Sequence, residues 1–248
     1  MTHQQTERKP DELFEAGADR AGYVQEMFGD ISARYDLMNT LMTAGRHQAW
    51  RRIAARALVR PGDRVVDAGC GTGDLTFACL EAGAREVLGL DFARPMLARA
   101  REKARDGGAS GAAFALADAT RLPVADGSVD GWCSAFVVRN IPDLDAALAE
   151  AWRVLRPGGR LAVLEIPKLS PSPLRPFARV HFNRVVPLLG GLVSGHGSAY
   201  RYLPVSVDHF LEPPEFTSML RAHGFRVREV RVLMFGTVAL HVAEKPAG

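Results

Sequence analysis

The sequence predicts an α/β fold, a doubly wound and mostly parallel sheet with an antiparallel last strand and an N-terminal helical lid. Three observations predict it. From residue 64 onward, short apolar runs alternate with stretches of helical period, the rhythm of successive βα units. A glycine cluster, Gly69-Cys70-Gly71-Thr72-Gly73, stands between the first such run and the first helical stretch. Near the end, residues 225–233 and 237–243 alternate apolar and polar positions, as a closing antiparallel pair does.

The elements follow in order. Residues 1–20 are polar without a sustained apolar period and are expected to form a mobile tail. Residues 21–62 form the lid: Val24, Met27, Phe28, Ile31, Tyr35, Met38, Leu41 and Met42 recur at three- and four-residue steps, and a second helix covers 47–58 before Pro61-Gly62 stops it. The remainder, 63–248, is one domain. Its strands are expected at 64–67, 87–90, 113–117, 129–137 and 160–165, with helices at 74–83, 94–105 and 143–155. Asp74 is expected to cap the first of these helices, and Arg156-Pro157-Gly158-Gly159 to form a tight turn. Residues 166–207 interrupt the alternation. They carry prolines and glycine clusters, several arginines, and neither Asp nor Glu, and read as an insertion before a last helix at 214–223.

Composition excludes several classes. The chain has 248 residues, 47% hydrophobic and 24% charged, so disorder, collagen and coiled coil do not describe it. Its 31 basic residues are 27 Arg and 4 Lys, and a net charge of +3 is weak evidence for a nucleic-acid partner. Three Cys without a CxxC spacing predict neither a disulfide framework nor a metal cluster. A polar N-terminus and the lack of any long apolar run lead us to expect a cytoplasmic protein without a signal or a membrane span.

The glycine loop carries the first chemical signal. Glycines at 69, 71 and 73 let the backbone approach a ligand, and Asp91, ending the next strand, can accept both hydroxyls of a ribose. A dinucleotide fingerprint would place its third glycine at Asp74. The spacing, with Asp67 two residues before the first glycine, instead resembles motif I of class I S-adenosylmethionine (SAM) methyltransferases, which have a Rossmann-like fold. That resemblance assigns Asp67, Gly69, Gly71, Thr72, Gly73, Asp91, Asp118 and Ala119 to the cofactor, with Asp118 facing the adenine. Cys70 reads as a small filler, and Trp50, Cys79 and Cys133 as core.

More specific segments identify a family. Tyr35-Asp36-Leu37-Met38-Asn39 followed by His47-Gln48-Ala49-Trp50, then Arg139-Asn140-Ile141-Pro142-Asp143, then Ala199-Tyr200-Arg201-Tyr202-Leu203 resemble the signatures of the ubiquinone/menaquinone-biosynthesis C-methyltransferases over roughly residues 20–245. Ala135 stands where that family has a Ser, with Ser134 beside it. The resemblance implies methyl transfer from SAM to a ring carbon of demethylmenaquinol, or of a ubiquinone-pathway benzoquinol, without a metal. It assigns Arg139 to the quinol oxygen, Asn140 to a water or the second oxygen, His47 to the candidate base, and Tyr35, Asn39, Tyr200 and Tyr202 to the substrate pocket. Asp36 reads as a capping or salt-bridging acid. A prenylated quinol implies peripheral contact at the inner membrane face, with residues 166–207 as the touching segment. A homo-oligomer or a quinone-synthesis complex also fits this family. Competing readings are a SAM enzyme for another small acceptor, a nicotinamide oxidoreductase, a SAM-binding assembly subunit and a nucleic-acid methyltransferase. The last lacks its Asn/Asp-Pro-Pro-Tyr site here.

Overall fold

The computed structural model describes residues 10–15, 19–169, 184 and 197–247, with only the backbone of 197–201. Its strands are β1 (Arg64–Ala68), β2 (Glu86–Asp91), β3 (Ala112–Leu116), β4 (Val129–Ala135), β5 (Leu155–Glu165), β6 (Arg226–Leu233) and β7 (Val238–Glu244). They form one seven-stranded sheet in the order β3-β2-β1-β4-β5-β7-β6. The first five strands of that order are parallel, and β7 runs antiparallel to both β5 and β6. The chain winds outward from β1 to β3 and then restarts on the other side of β1 with β4. The crevice at that switch, beyond the carboxyl ends of β1 and β4, is where such sheets hold ligands.

The central strands β1, β4, β5 and β7 are buried on both faces and so carry apolar residues at successive positions, whereas the edge strands β3 and β6 are partly exposed. Val65, Cys133, Ala135, Ala162 and Leu164 pack under α3 (Arg46–Leu58) and α4 (Asp74–Glu81). Val66, Ala68, Trp132, Leu161 and Val163 pack on the other face against α6 (Leu144–Val154) and α8 (Pro213–Ala222). Asp143 starts α6 by accepting the Ala146 N–H at 2.9 Å, so the acid of the Arg-Asn-Ile-Pro-Asp segment is a helix cap.

A third apolar cluster joins the N-terminal helices to the ligand edge. Val24, Met27 and Ile31 of α1 (Arg20–Ile31) and Met38 of α2 (Tyr35–Thr43) pack with Ala93, Met96 of α5 (Arg94–Asp106), Leu169 and Tyr202 of α7 (Gly197–Asp208). At the end of α2, Ala44 (φ 49°) and Gly45 (φ 73°) take the left-handed conformation and turn the chain back over the sheet.

Several expectations are corrected. The predicted lid 21–62 divides in two: α1 and α2 cover the ligand edge, whereas α3 is a layer helix, because Trp50, Ala54, Ala55 and Leu58 bury against the sheet. Part of the predicted tail is packed. Pro10–Phe14 forms a 3-10 turn that buries Leu13, and the Phe14 ring stacks on His209 at 4.3 Å. Asp74 does not cap α4. Gly73 holds the N-cap position, and the Asp74 side chain turns to partners described below. Strand β5 begins at Leu155 rather than after the glycine pair, with a register shift opposite Val129/Gly131. Residues 1–9, most of 170–196 and the apolar residues read there as a membrane-touching segment lie outside the described residues.

Leu58 has no exposed surface and lies where the α3 end meets Val65 and Gly131. Leu58→Ala is expected to lower the unfolding free energy by about 2–5 kcal/mol, read from urea denaturation of the ligand-free protein.

Candidate active site

The sheet order lines the candidate residues along one edge. Asp118 follows β3, Asp91 ends β2, the glycine loop follows β1, Arg139 and Asn140 follow β4, and Glu165 ends β5. The sequence predicted all of these except Glu165.

Around the glycine loop, backbone and carboxylates interlock. Gly69 N–H donates to the Leu90 carbonyl at 2.7 Å, and a Cβ on Gly69 would lie 2.4 Å from Val137 Cγ1. The loops after β1 and β4 therefore touch, and only glycine fits. A Cβ on Gly71 would meet nothing within 4 Å, so the loop presents an open side there. Asp91 accepts the Gly71 N–H through Oδ2 and the Ala93 N–H through Oδ1, both at 2.8 Å. Burial raises the Asp91 pKa against these bonds. Asp67 is buried beneath the loop; Oδ2 accepts from Thr76 Oγ1 at 2.7 Å, while Oδ1 has no partner among the described residues. Burial pushes its pKa up to about 7, with the Thr76 hydrogen bond opposing. Asp118 is exposed and accepts the Thr120 N–H at 2.8 Å, with Ala119 beside it. Open backbone at Gly71 and a row of carboxylates fit the ribose and ammonium of SAM. Ser134 donates to the Ala68 carbonyl at 2.7 Å inside the sheet, so its hydroxyl joins β4 to β1.

A charged junction fastens the lid to this loop. Lys103 of α5 donates to Asp36 Oδ2 (2.9 Å), Asp74 Oδ1 (2.6 Å) and Thr72 Oγ1 (3.3 Å). Thr72 Oγ1 donates in turn to Asp36 Oδ1 at 2.6 Å. The Thr72 hydroxyl thus holds α2, and the backbone is what it can offer a cofactor. Asp36 is the salt-bridging acid of the two roles expected. Gln48 donates to Asp74 Oδ2 at 2.8 Å, and the Arg51 guanidinium stands 3.9 Å from it. Burial opposes the Asp74 charge, but Arg51 and Lys103 outweigh it and hold the carboxyl below its usual range.

His47 is placed differently from its predicted role as a base. It is 2% exposed. Arg51 Nη1 lies 2.6 Å from Nδ1, and a guanidinium only donates, so Nδ1 accepts. Nε2 then carries the proton and donates to Thr40 Oγ1 at 3.2 Å. Both nitrogens are taken, and burial with Arg51 lowers the pKa to about 4. His47 is a neutral strut between α2 and α3.

Arg139 sits in the 3-10 turn Val138–Asn140, just after Phe136 takes a φ of 63°. That left-handed residue aims its carbonyl at Arg139 Nη1 (2.8 Å). Nη1 also donates to Glu165 Oε1 (2.5 Å), and Nε to Ser206 Oγ of α7 (3.3 Å). Among the described residues Nη2 meets no acceptor. The Asn140 amide is buried, and among the described residues neither Nδ2 nor Oδ1 has a hydrogen-bond partner. Tyr202 is 2% exposed, its hydroxyl likewise unpartnered, and burial pushes its pKa up to about 12 with Arg139 and Arg20 pulling the other way. Burial also raises the Tyr35 phenol, while Arg51, Asn39 and Arg139 lower it. The field of one guanidinium therefore reaches both tyrosines, and Asn39 is hydrogen-bonded to Tyr35. The Tyr200 side chain lies outside the described residues.

The sequence reading missed Glu165, Lys103, Arg51 and the junction role of Asp74. For Glu165 the available signal was an acid ending an otherwise apolar strand.

Two outcomes follow from these environments. Long-range nitrogen–proton NMR is expected to show His47 as the neutral Nε2–H tautomer from pH 8 down to 5.5. A carboxyl whose folded pKa is raised favours the fold below that pKa and loses this advantage as pH rises through it. Asp67→Asn should therefore gain stability relative to the unsubstituted chain as pH rises from 4 to 8. The difference in urea unfolding free energy should grow by no more than about 4 kcal/mol.

Comparison with known proteins identifies the family. The model of the ubiE/COQ5 methyltransferase family fits residues 16–245. A demethylmenaquinone methyltransferase of Thermus thermophilus is 48% identical over 225 residues, covering 89% of this chain and 100% of the relative. One from Deinococcus radiodurans is 44% identical over 231 residues, covering 92% and 94%. A ubiquinone/menaquinone biosynthesis C-methyltransferase of Methylobacterium nodulans is 40% identical, covering 92% and 93%. Among solved structures, a SAM-dependent methyltransferase from Aquifex aeolicus superposes with a TM-score of 0.60 at 19% identity, over 85% of this chain and 97% of that one. The cyclase SpnF gives 0.64 at 21%, over 81% of each; these two likenesses concern the fold. With 230 consecutive residues matched by the family model (245 − 16 + 1), the chain belongs to the ubiE/COQ5 methyltransferase family.

Proposed function

We propose that this methyltransferase moves a methyl group from SAM to a ring carbon of demethylmenaquinol, giving menaquinol and S-adenosylhomocysteine. The observation that carries the reading is Arg139, a guanidinium held by three acceptors at the ligand edge of the sheet with Nη2 directed to none of them. Relatives at 44–48% identity that bear the name demethylmenaquinone methyltransferase support the choice of quinol.

Bound SAM supplies an electrophilic methyl on a sulfonium. Asp67, Asp91, Asp118-Ala119 and the backbone of Gly69, Gly71, Thr72 and Gly73 hold it at the ends of β1, β2 and β3. The ring carbon becomes nucleophilic as its neighbouring hydroxyl loses a proton, and Arg139 stabilises the phenolate charge that develops. A guanidinium keeps its proton at any working pH, so Arg139 orients and stabilises and does not act as the base. His47 has no free lone pair. The proton leaving the ring passes to water, which the Asn140 amide, unpartnered among the described residues, can hold. Tyr35, Asn39 and Tyr202 serve the ring's approach, and the lid excludes bulk water while methyl and carbon are held at near-attack distance. Among the described residues no helix is long and apolar enough to cross a membrane. A prenylated quinol is met at the bilayer surface or received from a partner, and we assign contact with the inner bilayer face to the acid-free segment 166–207.

The test is turnover with labelled SAM and chemically reduced demethylmenaquinol, run beside the demethylated ubiquinone-pathway benzoquinol. Transfer to the naphthoquinol is expected, abolished in Asp91→Ala. In Arg139→Ala, kcat should fall about 100- to 1000-fold, the loss typical of a missing oxyanion donor, while S-adenosylhomocysteine binding stays within threefold. Transfer to the benzoquinol alone would move the enzyme to the ubiquinone pathway; transfer to neither would refute the quinone reading.

A further inference from the structure

We infer that Glu165 is a positioning residue for methyl transfer, setting the direction in which Arg139 offers its free guanidinium edge. The inference rests on the reading of Arg139 given above.

Glu165 is the last residue of β5 and pairs in register with Ala239 of β7, while the residue before it, Leu164, is the last that pairs with β4, opposite Ala135. Its side chain is 3% exposed. The carboxylate has three donors: Arg139 Nη1 on Oε1 at 2.5 Å, Ile166 N–H on the same oxygen at 2.7 Å, and the Arg139 backbone N–H on Oε2 at 3.2 Å. It therefore grips both the backbone and the tip of one arginine. Phe136 O and Ser206 Oγ complete the clamp at Nη1 and Nε. A guanidinium is planar, so fixing Nη1 and Nε fixes its whole orientation and leaves Nη2 as the edge available to a ligand.

The carboxylate also sets charge. A buried guanidinium without a counterion would overstabilise a bound phenolate, whereas the pair together is neutral. The other groups facing the pair are Tyr35 of α2, Tyr202 and Ser206 of α7, and Arg20 of α1 through Tyr202. The two phenols lie above their usual pKa and stay protonated over an ordinary assay range. Glu165 is thus the anion facing Arg139 across that range.

This separates positioning from scaffolding by sign. Glu165→Gln keeps an acceptor for Nη1 but removes the charge and turns a donor toward the Arg139 N–H. We expect kcat for the quinol to fall about 30-fold or more, with KM for SAM and S-adenosylhomocysteine affinity within threefold. The acidic limb of kcat against pH should move down by about half a unit or more, because the uncompensated guanidinium favours quinol ionisation. Glu165→Asp keeps the charge on a shorter arm, so an intermediate kcat with the limb in its original place is expected. Melting temperature and S-adenosylhomocysteine binding report folding. Should Glu165→Gln fail to fold, Glu165→Asp decides, a folded variant with lowered kcat supporting the role. Unchanged kcat and limb in a folded variant would overturn it, as would a kcat loss matched by loss of folded protein. If the unsubstituted enzyme methylates neither quinol, the parent reading falls and this one with it; an active enzyme indifferent to Glu165 refutes this inference alone.

Discussion

The architecture of the site depends on one close approach. At the switch point of the sheet the loop after β1 lies against the loop after β4 so tightly that Gly69 has no room for a Cβ beside Val137. That contact brings the glycine loop and the Arg139 turn together, although 70 residues separate Gly69 from Arg139 (139 − 69). Asp91 extends the same contact sideways, its two oxygens tying Gly71 and Ala93, so the ends of β1 and β2 move as one. A chain that kept the sheet but widened this approach would separate the place where a methyl donor can sit from the place where an acceptor can be held.

Two buried ions on opposite sides of the crevice, Asp74 and Arg139, each have a counterion and hydrogen bonds that hold them in one orientation. Asp74 faces Lys103, Arg51 and Gln48; Arg139 faces Glu165. A buried pair of this kind is weak evidence for stability, because desolvation offsets much of the Coulomb gain. Its value here is geometric. Lys103 illustrates the point. In a chain with 27 Arg and 4 Lys, the residue joining Asp36, Thr72 and Asp74 is a lysine. An ammonium can direct three donors to acceptors spread around a point, which the flat fork of a guanidinium cannot do.

Much of the fold was legible in sequence because parallel strands buried on both faces carry successive apolar residues, as Val65-Val66 and 161–164 do. The glycine loop and Asp91 were legible because backbone approach and ribose recognition each demand a particular residue at a particular strand end. The predicted lid was divided wrongly for a physical reason. Helices α1, α2 and α3 share the same helical period, and period reports that a face is buried without saying against what. His47 failed similarly: a histidine in a signature reads as a titrating group, and only its distance to Arg51 shows that its lone pair is taken. Glu165 and Lys103 left little trace because their partners are distant in sequence. The 26 residues between Arg139 and Glu165 are closed only by the pairing of β4 with β5.

The unpartnered polar atoms then acquire a common meaning. A buried amide or hydroxyl without a partner destabilises a fold by about 1–3 kcal/mol, yet among the described residues Asn140 has a partner for neither end of its amide and Tyr202 none for its hydroxyl. These groups do not stabilise the ligand-free chain; they form a polar rim on an otherwise apolar cluster of Met27, Ile31, Met38, Leu169 and aromatic rings. Tyr202 itself belongs to that cluster, so one of the unpartnered groups stands within the apolar packing that joins the N-terminal helices to the ligand edge.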